Sequence, residues 1–282
     1  MNCVPDEAVV MTAIDRISNL PLDLIHHILS LMDMKYAVQT CVLSSEWKHI
    51  WTSLRHIKFS TSEFEQLGQF IRFARHVIAH SNDQTDVSSL ELAFGGTLSQ
   101  ILVKDLLNYV VSHNVHDITI NTHERDRKIP ICIFESQSLK HLTLINLDEN
   151  SCIVPQYPWD LPNLTTLNLS QIVLTDGRID NQESIDLFSK CANLQNLYLE
   201  ECYMAAVKVF NVTTPRLENL ILDKVDLHMR VCAPHLPFKK EDAHQLIELF
   251  KNFKCAEFLN VYSNVIEEIE NRGGLMSSAG IC

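Results

Sequence analysis

The sequence predicts an α/β fold: a small N-terminal module of three helices, followed by an irregular repeat solenoid whose strands run parallel. Two observations predict it. Between Asp15 and Leu54, large apolar residues recur at helical spacing and end in Trp47 and Trp51. Beyond them, from Val87 to Leu222, the pattern L-x-x-L-x-L recurs at the uneven but short intervals that mark stacked repeats. The reading places the module in residues 12–58, the repeat array in 59–265 and a disordered tail in 266–282.

The module is built from local signals. Pro21 suits the first turn of a helix, and Asp23 puts a negative charge at its positive end. Leu24, Ile28 and Leu31 follow at helical spacing, with Ile25 and Met32 beside them. Asp33 can cap a second short helix through Cys41, and Ser44 or Ser45 a third. Trp47 and Trp51, four apart, share one face of that third helix. About forty residues cannot bury so many large apolar side chains unaided. Either the module docks onto the rest of the chain or its apolar face is made for another polypeptide.

An amphipathic helix from about residue 63 to 79 comes next, its apolar face marked by Phe64, Leu67, Phe70, Ile71, Ala74, Val77 and Ile78. The repeats follow: Val87-Leu90-Leu92, Val115-Ile118-Ile120, Leu139-Leu142-Leu144, Leu164-Leu167-Leu169, Leu194-Leu197-Leu199 and Leu217-Leu220-Leu222. A weaker instance is Ala256-Leu259-Val261. In each unit a short strand turns alternate residues inward, and one unit cannot close a core alone, so neighbours stack. Helical returns are expected around Ile101, Leu102, Leu106, Tyr109 and Val110, around Ile185, Leu187 and Phe188, and between Ala243 and Phe253.

Composition bounds the function. The 282 residues carry a formal charge of −12, which argues against a general nucleic-acid binder. Arg125, Arg127 and Lys128 read as a solvated loop beside Glu124 and Asp126. Nine scattered cysteines without a C-x-x-C pair predict reduced, mostly buried thiols and a cytoplasmic or nuclear location. No apolar stretch is long enough for a membrane span, and the N-terminus is a poor secretory signal. The N-x-S/T triplets at Asn163, Asn168 and Asn211 then read as chance matches.

No catalytic motif stands out. His76 and His80 are four apart but lack a third ligand at metal spacing. Trp159-Asp160 is a lone pair without propeller periodicity. Phosphate-cradling glycine loops and nucleophile elbows are missing, and seven glycines give little freedom to build them. The expectation is a binding protein with no metal, no cofactor and no catalysis.

The N-terminal string resembles the F-box of plant F-box proteins with leucine-rich repeats. The residues that carry the resemblance are Leu20-Pro21, Asp23-Leu24, Ile28-Leu29, Lys35, Ala37-Val38, Val42-Leu43-Ser44, Trp47 and Trp51. It departs from that family at Asp33, where proline is frequent, and at Ser45-Glu46, where basic residues are common. KCANLQNLYLEEC, Lys190 to Cys202, likewise looks like the family's repeat unit, which makes Cys191 and Cys202 packing residues.

The resemblance implies a substrate receptor of an SCF ubiquitin ligase. Leu20, Pro21, Leu24, Ile28, Leu31, Val42, Leu43, Trp47 and Trp51 would bind a Skp-type adaptor and, through it, a cullin. Thr143, Thr166, Asn168, Tyr198 and Ile221, at variable strand positions, would face a target protein. The family's additional C-terminal FBD-type domain is expected to be absent or incomplete. The alternative is a repeat scaffold or binding protein, outside any ligase, with a degenerate F-box or a truncated end.

Overall fold

The computed structural model describes residues 20–45, 47–82, 85–95, 100–122, 131–146, 159–174, 184–204, 209–223 and 229–231. Helices α1 (Leu22–Ser30) and α2 (Met34–Gln39) open the fold. Pro21 stands at the N-cap of α1, one residue before the first turn, and its carbonyl accepts from the backbone N–H of Leu24 and Ile25. Asp33 caps α2 as expected, accepting from the Lys35 backbone N–H at 2.8 Å. A 3₁₀ turn, Thr40–Val42, prolongs α2. The third helix is also 3₁₀ rather than α and spans Trp47–Ser53.

The chain then enters a strand that the sequence reading does not separate from the module. Strand β1 (His56–Ser60) leads into helix α3 (Leu67–His80), β2 (Ser89–Phe94), α4 (Gln100–Ser112), β3 (Asp117–Thr122) and β4 (His141–Asn146). After these come β5 (Thr166–Ser170), β6 (Val173–Leu174), β7 (Ser184–Ile185), β8 (Asn196–Glu200), β9 (Tyr203–Met204), β10 (Val209–Val212), β11 (Asn219–Asp223) and β12 (Met229–Val231). Among the described residues, seven strands form one parallel sheet in the order β1-β2-β3-β4-β5-β8-β11. β7, β10 and β12 make a second small parallel sheet, and β6 pairs with β9. Around Ile185 the reading is corrected. A short strand pairs with β10 there, and Asp186 then accepts from the Phe188 backbone N–H, a local turn that competes with helix.

The repeat spacing explains the stack. Leu90 and Leu92, Ile118 and Ile120, Leu142 and Leu144, Leu167 and Leu169, and Leu197 and Leu199 are aligned by the strand register and all face inward, buried. Each contributes roughly 1.5–3 kcal/mol of burial. The first apolar residue of each unit, from Val87 to Leu217, is buried at the strand's entrance. One carbonyl per unit binds two successive N–H groups of the next. Arg55 serves Ser88 and Ser89, and Ser88 serves His116 and Asp117. The series continues through His116, Lys140, Thr165 and Gln195. The weaker seventh instance and the helix expected near Ala243 lie outside the described residues.

The returns carry their own ladder. Trp159 is fully buried between Phe134 (centroids 4.6 Å apart) and Phe188 (5.2 Å). The side chains of Asn163 and Asn193 each donate to a carbonyl of the preceding unit, that of Gln137 and that of Pro162, at 2.7 Å. Cys191 and Cys202 are buried packing residues, as the resemblance implied, with thiols against the carbonyls of Trp159 and Leu169.

β1 joins the two parts. Ile57 and Phe59 align with Leu90 and Leu92, and Leu54-x-x-Ile57-x-Phe59 has the same spacing as the later units. α1 and α2 both pack on β1. The boundary drawn between residues 58 and 59 therefore falls inside a strand, and one apolar core runs from Ile25 to Leu217.

Two corners repeat a left-handed residue. Gln171 (φ 56°) follows β5 and Glu201 (φ 50°) follows β8, and the Gln171 amide donates to the Glu201 carboxylate at 2.7 Å. Gln171→Val and Gln171→Gly both lose that amide, so their difference reports the backbone alone. Valine is expected to be the less stable by about 1–2 kcal/mol, since its branched Cβ crowds the left-handed conformation. Urea unfolding midpoints of the two variants check this.

Candidate interaction surfaces

The module presents two faces of opposite character. Ile25 and Leu29, four apart on α1, point inward with Met34 and Ala37 of α2. On the outside, Leu22, Leu24, Leu31, Met32, Tyr36, Val42 and Leu43 are exposed, with Val42 at 83% and Leu31 at 72%. So many large side chains exposed between Leu22 and Leu43 form a patch of the kind that marks a protein interface.

The nine residues expected to meet an adaptor divide in the structure. Leu24, Leu31, Val42 and Leu43 lie in the exposed patch, and Pro21 is exposed beside them. Leu20 and Ile28 are half-buried. Trp47 and Trp51, by contrast, are 3% and 8% exposed and belong to the chain's own core with Ile50 and Leu54. The Trp47–Ser53 helix packs against α1 and α2 and turns both tryptophans inward. Trp51 comes within 6.2 Å of the His76 ring. The Trp47 indole N–H is buried without a hydrogen-bond partner among the described residues. Leu22, Met32 and Tyr36 lie in the same exposed patch and are not among the nine. Leu22 sits just ahead of the periodic run, and Tyr36 occupies the turn of α2 opposite Met34 and Ala37.

Polar contacts brace the patch from behind. Tyr36 donates its hydroxyl to the Glu63 carboxylate, and Lys35 donates to the Glu63 carbonyl. The Lys35 ammonium also lies 4.9 Å from the Phe64 ring centroid. Burial pushes the Asp33 carboxyl above its ordinary range, against the backbone N–H groups that favour the charged form. These contacts tie α2 to the segment after β1.

The second surface is the outward face of the sheet. Register aligns Lys58, Glu91, Thr119, Thr143, Asn168, Tyr198 and Ile221 in one row across all seven strands. Four of the five expected target-facing residues lie in it. The fifth, Thr166, lies in the adjacent row His56, Ser89, Asp117, His141, Thr166, Asn196 and Asn219. A third row ends in Ser170, Glu200 and Asp223.

Among the described residues, His76, His80, Cys191 and Cys202 take part in packing and hydrogen bonding. His80 engages its Nδ1 on the His76 carbonyl at 2.8 Å. Among the described residues, no group of three His, Cys, Asp or Glu could hold a metal ion, and no helix is long and apolar enough to cross a membrane. Burial pushes the Cys191 thiol up to about 12 and the Cys202 thiol up to about 11. Both folded values lie above the ordinary value of 9.0, so the folded state holds protons that the unfolded state releases as pH rises. Their stabilising contribution, intact below pH 9, is expected to fade between pH 9 and about 12. Alkylation at pH 8 should leave both thiols untouched until urea unfolds the chain, as peptide mapping of the alkylated cysteines will show.

Residues 17–59 match the family model of the F-box domain. The matched segment holds α1, α2, the Trp47–Ser53 helix and nearly all of β1. Along its length the chain is similar to F-box/LRR-repeat protein 25 of Arabidopsis thaliana, at 25% identity over 85% of this chain and 91% of that protein. Two F-box/FBD/LRR-repeat proteins of the same plant are 25% and 27% identical to it over 73% and 74% of this chain. It spans about half of their length, 46% and 49%. No solved structure matches the chain. Helices carrying an F-box match, followed by a leucine-rich parallel sheet, agree with the plant F-box/LRR resemblance drawn from the residues.

Proposed function

We propose that this chain is the substrate-recognition subunit of an SCF-type ubiquitin ligase, with no catalysis of its own. The exposed patch of Leu24, Leu31, Val42 and Leu43, within the segment that matches the F-box domain, carries this reading. A helical surface of this kind, left open by a chain that buries its other apolar face, fits insertion against the helices of a Skp-type adaptor. A cullin would join through that adaptor. The sheet face at the other end would hold a target protein, and the receptor would act by proximity, presenting the target to a conjugating enzyme on another subunit. The work would be done in the cytoplasm or the nucleus.

The test is co-expression with a plant Skp-type adaptor, followed by gel filtration. A stoichiometric complex is expected. Separate elution at micromolar concentrations would leave the scaffold reading in its place.

A further inference from the structure

The outward face of the sheet changes character along its length. At the first strands most of the charged and imidazole side chains in the first two rows find partners. Lys58 and Glu91 pair at 2.8 Å, His56 meets the Ser89 hydroxyl at 2.9 Å, and His141 lies 3.8 Å from Asp117. The Asn219 amide donates to Asn196 and the Asn196 amide to Thr166, which completes that row.

At β8 and β11, the last two strands of this sheet among the described residues, the other rows are left open. Ile221 is 53% exposed, beside Tyr198. Directly next to them, Glu200 and Asp223 stand opposite each other on neighbouring strands. Both are exposed, and among the described residues the one side-chain hydrogen bond of the pair is the Ser170 hydroxyl donating to Glu200 at 3.1 Å. Like charges facing each other across a ladder cost stability. The sheet carries this cost beside its most exposed aliphatic side chain.

We propose that a segment of the target protein docks across the outward face of β8 and β11. It sets a lysine or arginine between Glu200 and Asp223 and an apolar side chain on Ile221 and Tyr198. This rests on the receptor reading and adds the chemistry of what is received. Charge complementarity selects the occupant. A cation relieves the carboxylate pair, whereas a second copy of this chain, at −12, would bring further negative charge.

The probe is an array of twelve-residue peptides varied independently in charge and hydropathy, incubated with the full chain in the absence of adaptor. Peptides that join Lys or Arg to an aliphatic or aromatic residue are expected to be retained, less so as salt rises. The double variant Glu200→Lys/Asp223→Lys should bind them at least tenfold more weakly. The milder Glu200→Gln/Asp223→Asn should weaken binding in the same direction. Lys58→Glu, at the far end of the same face, should not.

Retention of neutral or acidic peptides, or binding unchanged in both double variants, would overturn the proposal. So would self-association of the full chain that the same variants abolish, because the face would then belong to a second copy. The adaptor complex is assayed separately. Failure of the unaltered chain to retain basic peptides, with that complex intact, defeats the docking proposal alone, and failure to form the complex defeats the receptor reading.

Discussion

Replacing Leu31 and Val42 by aspartate is expected to abolish co-purification with a Skp-type adaptor while leaving the melting temperature of the chain unchanged. Both side chains project from the module, and neither contributes to its core. An interface that covers them gains roughly 1.5–3 kcal/mol from each. Aspartate removes that gain and adds a carboxylate that must be stripped of water. A combined loss above about 3 kcal/mol is more than a hundredfold in affinity. Trp47→Ala makes the contrast. It should also lose the complex, but through the fold, because a cavity at a buried tryptophan costs about 3–5 kcal/mol. Affinity and thermal melting, measured together, separate the two. An aspartate variant that still binds the adaptor at wild-type strength would end the assignment of this patch.

Phe59→Ala should destabilise the module and the array together. Phe59 is 1% exposed and meets Phe70 edge-on, with centroids 6.1 Å apart, and Phe73 at 6.3 Å. Its strand is hydrogen-bonded to β2 and packs against α1 and α2. The expected cost is about 3–5 kcal/mol, a large share of the roughly 5–15 kcal/mol that holds a typical domain. Because one core runs through both parts, loss of helix signal and loss of tryptophan burial should coincide in a single urea transition. Two separated transitions, with only the first shifted by the substitution, would show the parts to be independent.

The array could be read from the sequence because each unit states its own register. A leucine at the entrance and two at alternate strand positions leave one way to face the core. The unit Leu54-Ile57-Phe59 obeys the same rule, yet the reading leaves it in the module. It carries a single leucine and lies further from Val87 than any later unit lies from the next. The inward turn of the tryptophans is not legible for a different reason. Helical spacing shows that two residues share a face but not which way that face turns. That depends on a 3₁₀ helix, in which residues three rather than four apart align, and on its packing against α1 and α2, which the spacing does not encode. Leu24 and Leu31 were readable as a face because Ile25 and Leu29, on the opposite phase, already supply what the core needs. The charged end of the sheet face was invisible, because Glu200 and Asp223 belong to different repeat units and only strand pairing brings them together.

The shared strand turns the sheet into a ruler. With the helices seated on β1 and the open carboxylates on β8 and β11, five to six strand spacings separate the two ends. At roughly 4.8 Å each, that is about 24–29 Å, fixed by backbone pairing rather than by a tether. Repeat number would then be a heritable length. Gaining or losing one unit would shift whatever is held at the far end by about 4.8 Å, a step comparable to a single lysine side chain.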